Sequence, residues 1–305
     1  MWITFSRVRQ LLSYISISFA SAAILSANVT LPKVIADHMV IQRELPVHIW
    51  GNAAPGETVT VSFRGAHQST NADDLGRWSV YLPPGPAGGP FPLVIAGNNT
   101  ISFNDVLVGD VWVASGQSNM EFVLRNADHA TEEIASANND HIRLFHVERN
   151  VSDYPLADID ARTWVPCTSQ SAPAFSAVAY FFGRHLQQKL NIPIGLIESS
   201  WGGTPAEAWT SLHALSADAS LMPVFRQWSQ MSDGYLTTQL ERAKEQREHD
   251  QEVAKAKAEH REPKPLSWHP NERRSWSPAG LFNAMIAPIT PFPIRGVIWY
   301  QGESN

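Results

Sequence analysis

The apolar run Val111–Ala114 gives way to Ser115-Gly116-Gln117-Ser118-Asn119-Met120, which puts serine hydroxyls in a small polar turn just past a strand. Open α/β sheets present reactive groups at such places, because ligands bind beyond the carboxyl ends of the strands. Glu121 and Phe122 then begin a helix. Ser118 would therefore lie beside backbone N–H groups that a helix start leaves unsatisfied and that can hold a developing oxyanion. A serine or asparagine here can equally be a simple helix cap. Two further turns of the same kind shift the reading toward chemistry. Glu198-Ser199-Ser200-Trp201-Gly202-Gly203-Thr204-Pro205 follows the run Ile194–Ile197, and its paired glycines let backbone N–H groups approach a ligand closely. Trp299-Tyr300-Gln301-Gly302-Glu303-Ser304-Asn305 completes a third strand and adds side-chain amides. A nucleophile, a glycine donor loop and amides at neighbouring sheet ends suit acyl transfer, in which serine attacks a carbonyl once a base takes its proton. Phosphate binding by Gly202 and Gly203 is disfavoured, since no Lys-Ser/Thr pair follows them.

The elements that must position these turns divide near residue 105. Over residues 28–105, short alternating runs at Val47–Trp50, Thr58–Phe63, Trp78–Leu82, Pro92–Ile95 and Thr100–Phe103 are separated by Gly- and Pro-rich turns. That spacing predicts a small β-sandwich with a structural or carbohydrate-facing role. Over residues 106–305, strands at Val111–Ala114, Ile142–Val147, Ile194–Ile197 and Gly296–Tyr300 alternate with helices at Ala177–Leu190 and Leu281–Ile286. This predicts an α/β domain with a mainly parallel sheet covered by helices. An insertion at about 213–275 carries the charged stretch Tyr235–Glu262, read as a long solvated helix held by i,i+4 pairs.

The 305 residues, 44% apolar and 17% charged, describe a soluble globular chain. A net charge of −6 argues against nucleic acid or an anionic membrane as partner. Arg7 and Arg9 precede the apolar stretch Leu11–Leu25, followed by Ser26 and Ala27. Residues 1–27 thus read as a signal peptide cleaved near Ala23 or Ala27, which sends the mature chain to the periplasm or the exterior. The stretch is short for a membrane span. Cys167 is the sole cysteine, so an intramolecular disulfide and a Cys-ligated metal are excluded, and it reads as a buried apolar residue. The sequence does not set the oligomeric state.

Gly116–Met120, Gly202–Trp209 and Trp299–Asn305, with Leu31–Gln42 and Asp105–Asp110 upstream, resemble the motif blocks of the sialate O-acetylesterase family, a branch of the SGNH serine esterases. The resemblance covers nearly all of the mature chain. It implies an SGNH-like parallel sheet that removes acetyl groups from sugar hydroxyls, O-acetylated sialic acid giving the family its name, with no metal or organic cofactor. Ser118 matches the nucleophile, and the N–H groups of Ser118 and of Gly202 or Gly203 would bind the oxyanion. The assisting amide is Gln301 or Asn305, Gln301 being preferred because it lies nearer the strand end. Gln117 and Glu303 would hold the turns, although Glu303 can also be an ordinary solvated carboxylate. An acetylxylan or other polysaccharide deacetylase fits the same motifs, and a secreted carbohydrate-binding protein without catalysis is the reading from another class.

In this family the base comes from an Asp-x-His-Pro block well after the third motif, and no such block follows Ser118. His269 precedes Pro270, but Ser267 stands where the aspartate should be. For His129, His141, His146, His185 and His213, surface or satisfied core roles suffice. The expectation is a fragment whose catalytic histidine and aspartate are missing, with only residual turnover and a sheet that ends on an exposed edge.

Overall fold

Alternating burial along Thr58–Phe63 and Arg77–Leu82 builds the amino-terminal layers: Val59, Val61 and Phe63, like Trp78, Val80 and Leu82, point inward, and the intervening residues face out. The computed structural model describes residues 28–233, 235–265 and 274–303, so the signal-peptide segment 1–27 lies outside the described residues. Strands β1 (Val40–Gln42), β2 (Val47–Asn52), β3 (Thr58–Phe63), β4 (Ala66–Asn71), β5 (Arg77–Leu82) and β6 (Gly88–Ala96) lead into β7 (Thr100–Gly116). The pair β2–β5 forms its own antiparallel ribbon, while β4, β3 and β6 join β7. The buried faces of the two share one apolar core. Strand β4 has no apolar alternation to announce it; it is a polar, exposed edge strand.

β7 is the spine of the molecule. Near its start it pairs antiparallel with β6, and its second half pairs parallel with β10 (Ile194–Ser200) and β11 (Gly296–Tyr300). Beyond β10 lie β8 (Asn139–His146) and β9 (Val165–Cys167). Helices α1 (Ser118–Glu121), α2 (Ala130–Ser136) and α3 (Ala177–Leu190) belong to this half, which makes a mixed α/β sheet. β10 is buried at every position, as an inner parallel strand should be. Among the described residues β11 pairs only with β7, and Val297, Trp299 and Tyr300 are exposed.

The sequence pattern splits β7 into two runs because Asn104, Asp105, Gly109 and Asp110 interrupt the apolar residues. The structure keeps one strand, since the buried parts of that stretch are satisfied. Asp105 takes a bidentate pair from the Arg143 guanidinium, at 2.7 and 3.0 Å, and a contact from His38 Nδ1 at 2.7 Å. Asp110 takes the Arg43 guanidinium at 2.8 and 3.1 Å, with Gln42 Nε2 at 3.2 Å. A Cβ on Gly109 would stand 1.9 Å from the Pro193 carbonyl oxygen, so glycine is needed for β7 to pass there.

α3 begins where Ser176 Oγ accepts the Ala179 N–H, and it ends on Asn191 in the left-handed conformation. Helices α4 (Leu212–Ala217), α5 (Met222–Asp233) and α6 (Tyr235–Ala258) follow β10. The charged stretch is helical, with Lys244–Glu248 and Lys255–Glu259 ion pairs at i,i+4. Each such pair contributes only about 0.3–0.5 kcal/mol. The segment expected as a helix over Leu281–Ile286 is helical, with π geometry over Phe282–Ile286 and a 3-10 turn, Ala287–Ile289, after it. Pro288 has no N–H to continue a regular ladder. Among the described residues no helix is long and apolar enough to cross a membrane. Cys167 is buried, and burial pushes its thiol up to about 12.

The Asp105–Arg143 pair gives a direct test of the spine. The Arg143 side chain is only 4% exposed, so Asp105→Ala leaves a buried guanidinium without its carboxylate. The expected cost is about 3–5 kcal/mol in urea unfolding at neutral pH. The Arg143 hydrogen bonds hold the Asp105 carboxyl below its ordinary range. Its contribution is therefore complete above the unfolded value of about 3.9 and is lost as pH falls through the lower folded value. The gap between variant and parent should narrow only in strong acid.

Candidate active site

Three parallel strands end side by side at Gly116. Ser200 of β10 and Tyr300 of β11 both lie in register with it, on opposite sides of β7. The Trp201 N–H donates to the Gly116 carbonyl at 3.1 Å, and the Gln117 N–H donates to the Tyr300 carbonyl at 2.9 Å. Gly116 has φ +131, and a Cβ there would stand 2.0 Å from the Tyr300 oxygen. Only glycine allows the backbones this close, and the first turn is thereby fixed against the other two.

Ser118 opens α1, with its side chain exposed, and among the described residues its Oγ has no hydrogen-bond partner. A Cβ built on Gly202 would stand 3.7 Å from Ser118 Oγ, so the glycine loop faces the hydroxyl directly. Gly203 adopts φ +73, which turns the loop. The Gly202 N–H is not free: it donates to Glu121 Oε2 at 2.8 Å. Glu121 in turn pairs with Arg149, whose guanidinium lies 5.4 Å from the Trp201 ring centroid. An anionic oxygen thus already occupies the donor that acyl transfer would use.

The remaining predicted residues tie the turns together. Buried Gln117 accepts the Gly302 and Glu303 N–H groups through Oε1, at 3.0 and 3.2 Å. Glu303 Oε1 accepts from the Asn119 N–H at 3.0 Å and also from its side-chain amide. Gln301 Nε2 donates to the Thr204 carbonyl at 2.8 Å, so this amide reaches the glycine loop. Asn305, Ser267 and His269 lie outside the described residues. Thr204, which the motif reading passed over, is the hub of the second turn: its Oγ1 donates to the Trp201 carbonyl and accepts from Trp209 Nε1.

A second polar cluster stands one strand further on. His146 ends β8 directly opposite Glu198 of β10, and its Nδ1 is paired with the Glu198 carboxylate. The Ser200 hydroxyl donates to the other carboxylate oxygen. Glu198 is buried, and its hydrogen bond raises the His146 pKa against the opposing effect of burial. His129, His141, His185 and His213 are exposed, away from any strand end that meets Ser118. Sequence spacing could not single out His146, because its partner lies 52 residues later in the chain (198 − 146) and only the sheet register joins them.

No protein-family model matches the chain. It is 34% identical to a sialate O-acetylesterase from Pongo abelii and 33% identical to one from Homo sapiens, in each case over 294 residues that cover 89% of this chain and 48% of the relative. The crystal structure of a carbohydrate acetylesterase from Xanthomonas citri is similar at 33% identity and a TM-score of 0.72, over 91% of this chain and 52% of that one. The chain is homologous to these proteins along most of its length, and it spans about half the length of the curated relatives it matches.

Two measurements check this geometry. Gly116→Ala should destabilise the protein by about 3 kcal/mol or more, read by chemical denaturation, because the Cβ meets a backbone oxygen and φ is strained. An NMR titration should place His146 above the ordinary value of about 6.5, with Glu198→Gln moving it down. The stabilisation from that pair is complete below the ordinary value and is lost as pH rises through the folded one.

Proposed function

We propose that this homologue of the sialate O-acetylesterases is a carbohydrate O-acetylesterase whose nucleophile is Ser118. The observation that carries the reading is the exposed Ser118 hydroxyl facing the Gly202 loop at the junction of three strand ends. Ser118 Oγ attacks the acetyl carbonyl carbon while a base takes its proton. The sugar oxygen leaves with a proton, an acetyl-serine remains, and water releases acetate from it. The N–H groups of Ser118 and of Gly202 or Gly203, with an amide from Gln301 or Asn305, hold the negative oxygen of the tetrahedral intermediate. Gln117 and Glu303 fix the turns through the hydrogen bonds described above. The base is the histidine of the Asp-x-His-Pro block that the family resemblance implies, and no such block occurs among the 305 residues.

Residues 28–105 form a β-sandwich module carrying the esterase body, and the 1–27 segment directs the protein out of the cytoplasm. The relatives' name points to O-acetylated sialic acid as the substrate, and acetylated xylan is the alternative from the same chemistry.

Acetate release from O-acetylated sugars, measured on the protein that carries this base, tests this reading. Ser118→Ala should lower the rate by about a thousandfold or more and abolish labelling by a fluorophosphonate probe. Unchanged release in Ser118→Ala would overturn it.

A further inference from the structure

Beside the Ser118 turn the surface opens into a groove whose lining is charged yet balanced. Its first lobe, about 370 Å³, is lined by Glu121, His146, Glu148, Arg149, Glu198 and Ser200. Its second, about 380 Å³, shares His146 and Ala174 with the first and continues past Arg162, Thr163, Gln170 and Phe175. Glu121 links the groove to the nucleophile, because its carboxylate and Ser118 Oγ both flank Gly202. Each lobe is large enough for a sugar ring.

We infer that this groove binds the sugar of the acetyl ester as a neutral, hydroxyl-rich ring, with His146 as its central fixed hydrogen-bond group. The inference rests on the esterase reading for the position of the acetyl group, and it chooses the neutral sugar of the alternative substrate over the sialic acid of the relatives' name. Three cations line the groove and each already has a carboxylate: Arg149 with Glu121, Arg162 with Glu148 at 2.6 Å, and His146 with Glu198. A substrate carboxylate finds the cationic charge already balanced and would sit beside the carboxylates of Glu121, Glu148 and Glu198. Hydroxyl groups fit better, because they donate to the carboxylate lone pairs and accept from the remaining N–H groups without disturbing a pair. His146 is placed for this. Its Nδ1 is held by buried Glu198, itself tied to Ser200, which fixes the ring while the side chain stays 31% exposed to the groove. With Nδ1 turned to the carboxylate, the other ring nitrogen is left for the groove, and the Glu198 hydrogen bond that raises the His146 pKa favours the ring form in which that nitrogen donates.

The test uses the protein that carries the catalytic base, a mono-O-acetylated methyl xyloside, the methyl glycoside of 9-O-acetylated sialic acid, and 4-nitrophenyl acetate. His146→Ala should raise KM for the acetylated xyloside by about tenfold or more, with kcat/KM for 4-nitrophenyl acetate held within about threefold. His146→Gln, which keeps a donor, should recover most of the loss. In the unsubstituted protein, methyl xyloside without its acetyl group should shift the His146 ring signals in NMR spectra. Equal loss on both the sugar and aryl esters, no loss on either, or preference for the sialoside over the xyloside would overturn the inference. A xyloside-induced shift at His146 with no acetate released from any ester would support the groove and overturn the esterase reading instead. No shift alongside normal hydrolysis of 4-nitrophenyl acetate would overturn the groove alone.

Discussion

At Gly116 the ends of β7, β10 and β11 lie within one backbone hydrogen bond of each other, and every feature of the candidate site descends from that approach. The Tyr300 oxygen occupies the space a Cβ would need, so β7 cannot slide outward and β11 cannot move away without leaving a buried N–H unpaired. Once the strand ends are fixed, the next residues have few choices. Gln117 is drawn into the interior, where Oε1 takes two N–H groups from the third turn. Ser118 must then face outward toward Gly202. The exposure of the hydroxyl follows from the burial of the residue before it.

That junction holds because β7 is anchored at a distance. Asp105 and Asp110 sit where an apolar strand would have no reason for carboxylates. Each is answered by a guanidinium from another segment: Arg143 from β8, and Arg43 just after β1. Bidentate pairs fix orientation as well as position, which a set of apolar contacts would not do. The upstream blocks at Leu31–Gln42 and Asp105–Asp110 thereby acquire a physical reason to accompany the site motifs. They set the register of β1 on β7 and hold in place the strand that leads into the Ser118 turn.

Much of this was legible in the sequence wherever the information is local. Period-two alternation of apolar residues announced β3 and β5, the run Ala177–Leu190 announced α3, and Gly-rich polar turns after apolar runs marked all three strand ends. What escaped depended on pairing between distant segments. The unity of β7 was hidden by its own carboxylates, whose partners lie far off in the chain. β4 has polar residues throughout and forms because β3 offers it an edge. The His146–Glu198 pair and the hub at Thr204 exist only through sheet register and loop packing, and no spacing rule reaches them.

The Glu121 carboxylate bears on how the turns could work together. An N–H that points at an arriving carbonyl oxygen must accommodate negative charge without rearranging, since preorganised donors contribute most to stabilising that charge. The Gly202 N–H already meets such an oxygen, held by Arg149 against the Trp201 ring. In the proposed esterase the loop would need no change of backbone to receive an oxyanion; one side chain would have to move. Glu121 also lines the groove, so a ring seated against Arg149 and His146 competes for the groups that keep the carboxylate on Gly202. In the proposed esterase, occupation of the groove and release of the donor would draw on the same few hydrogen bonds, which would couple sugar binding to the readiness of the acyl site.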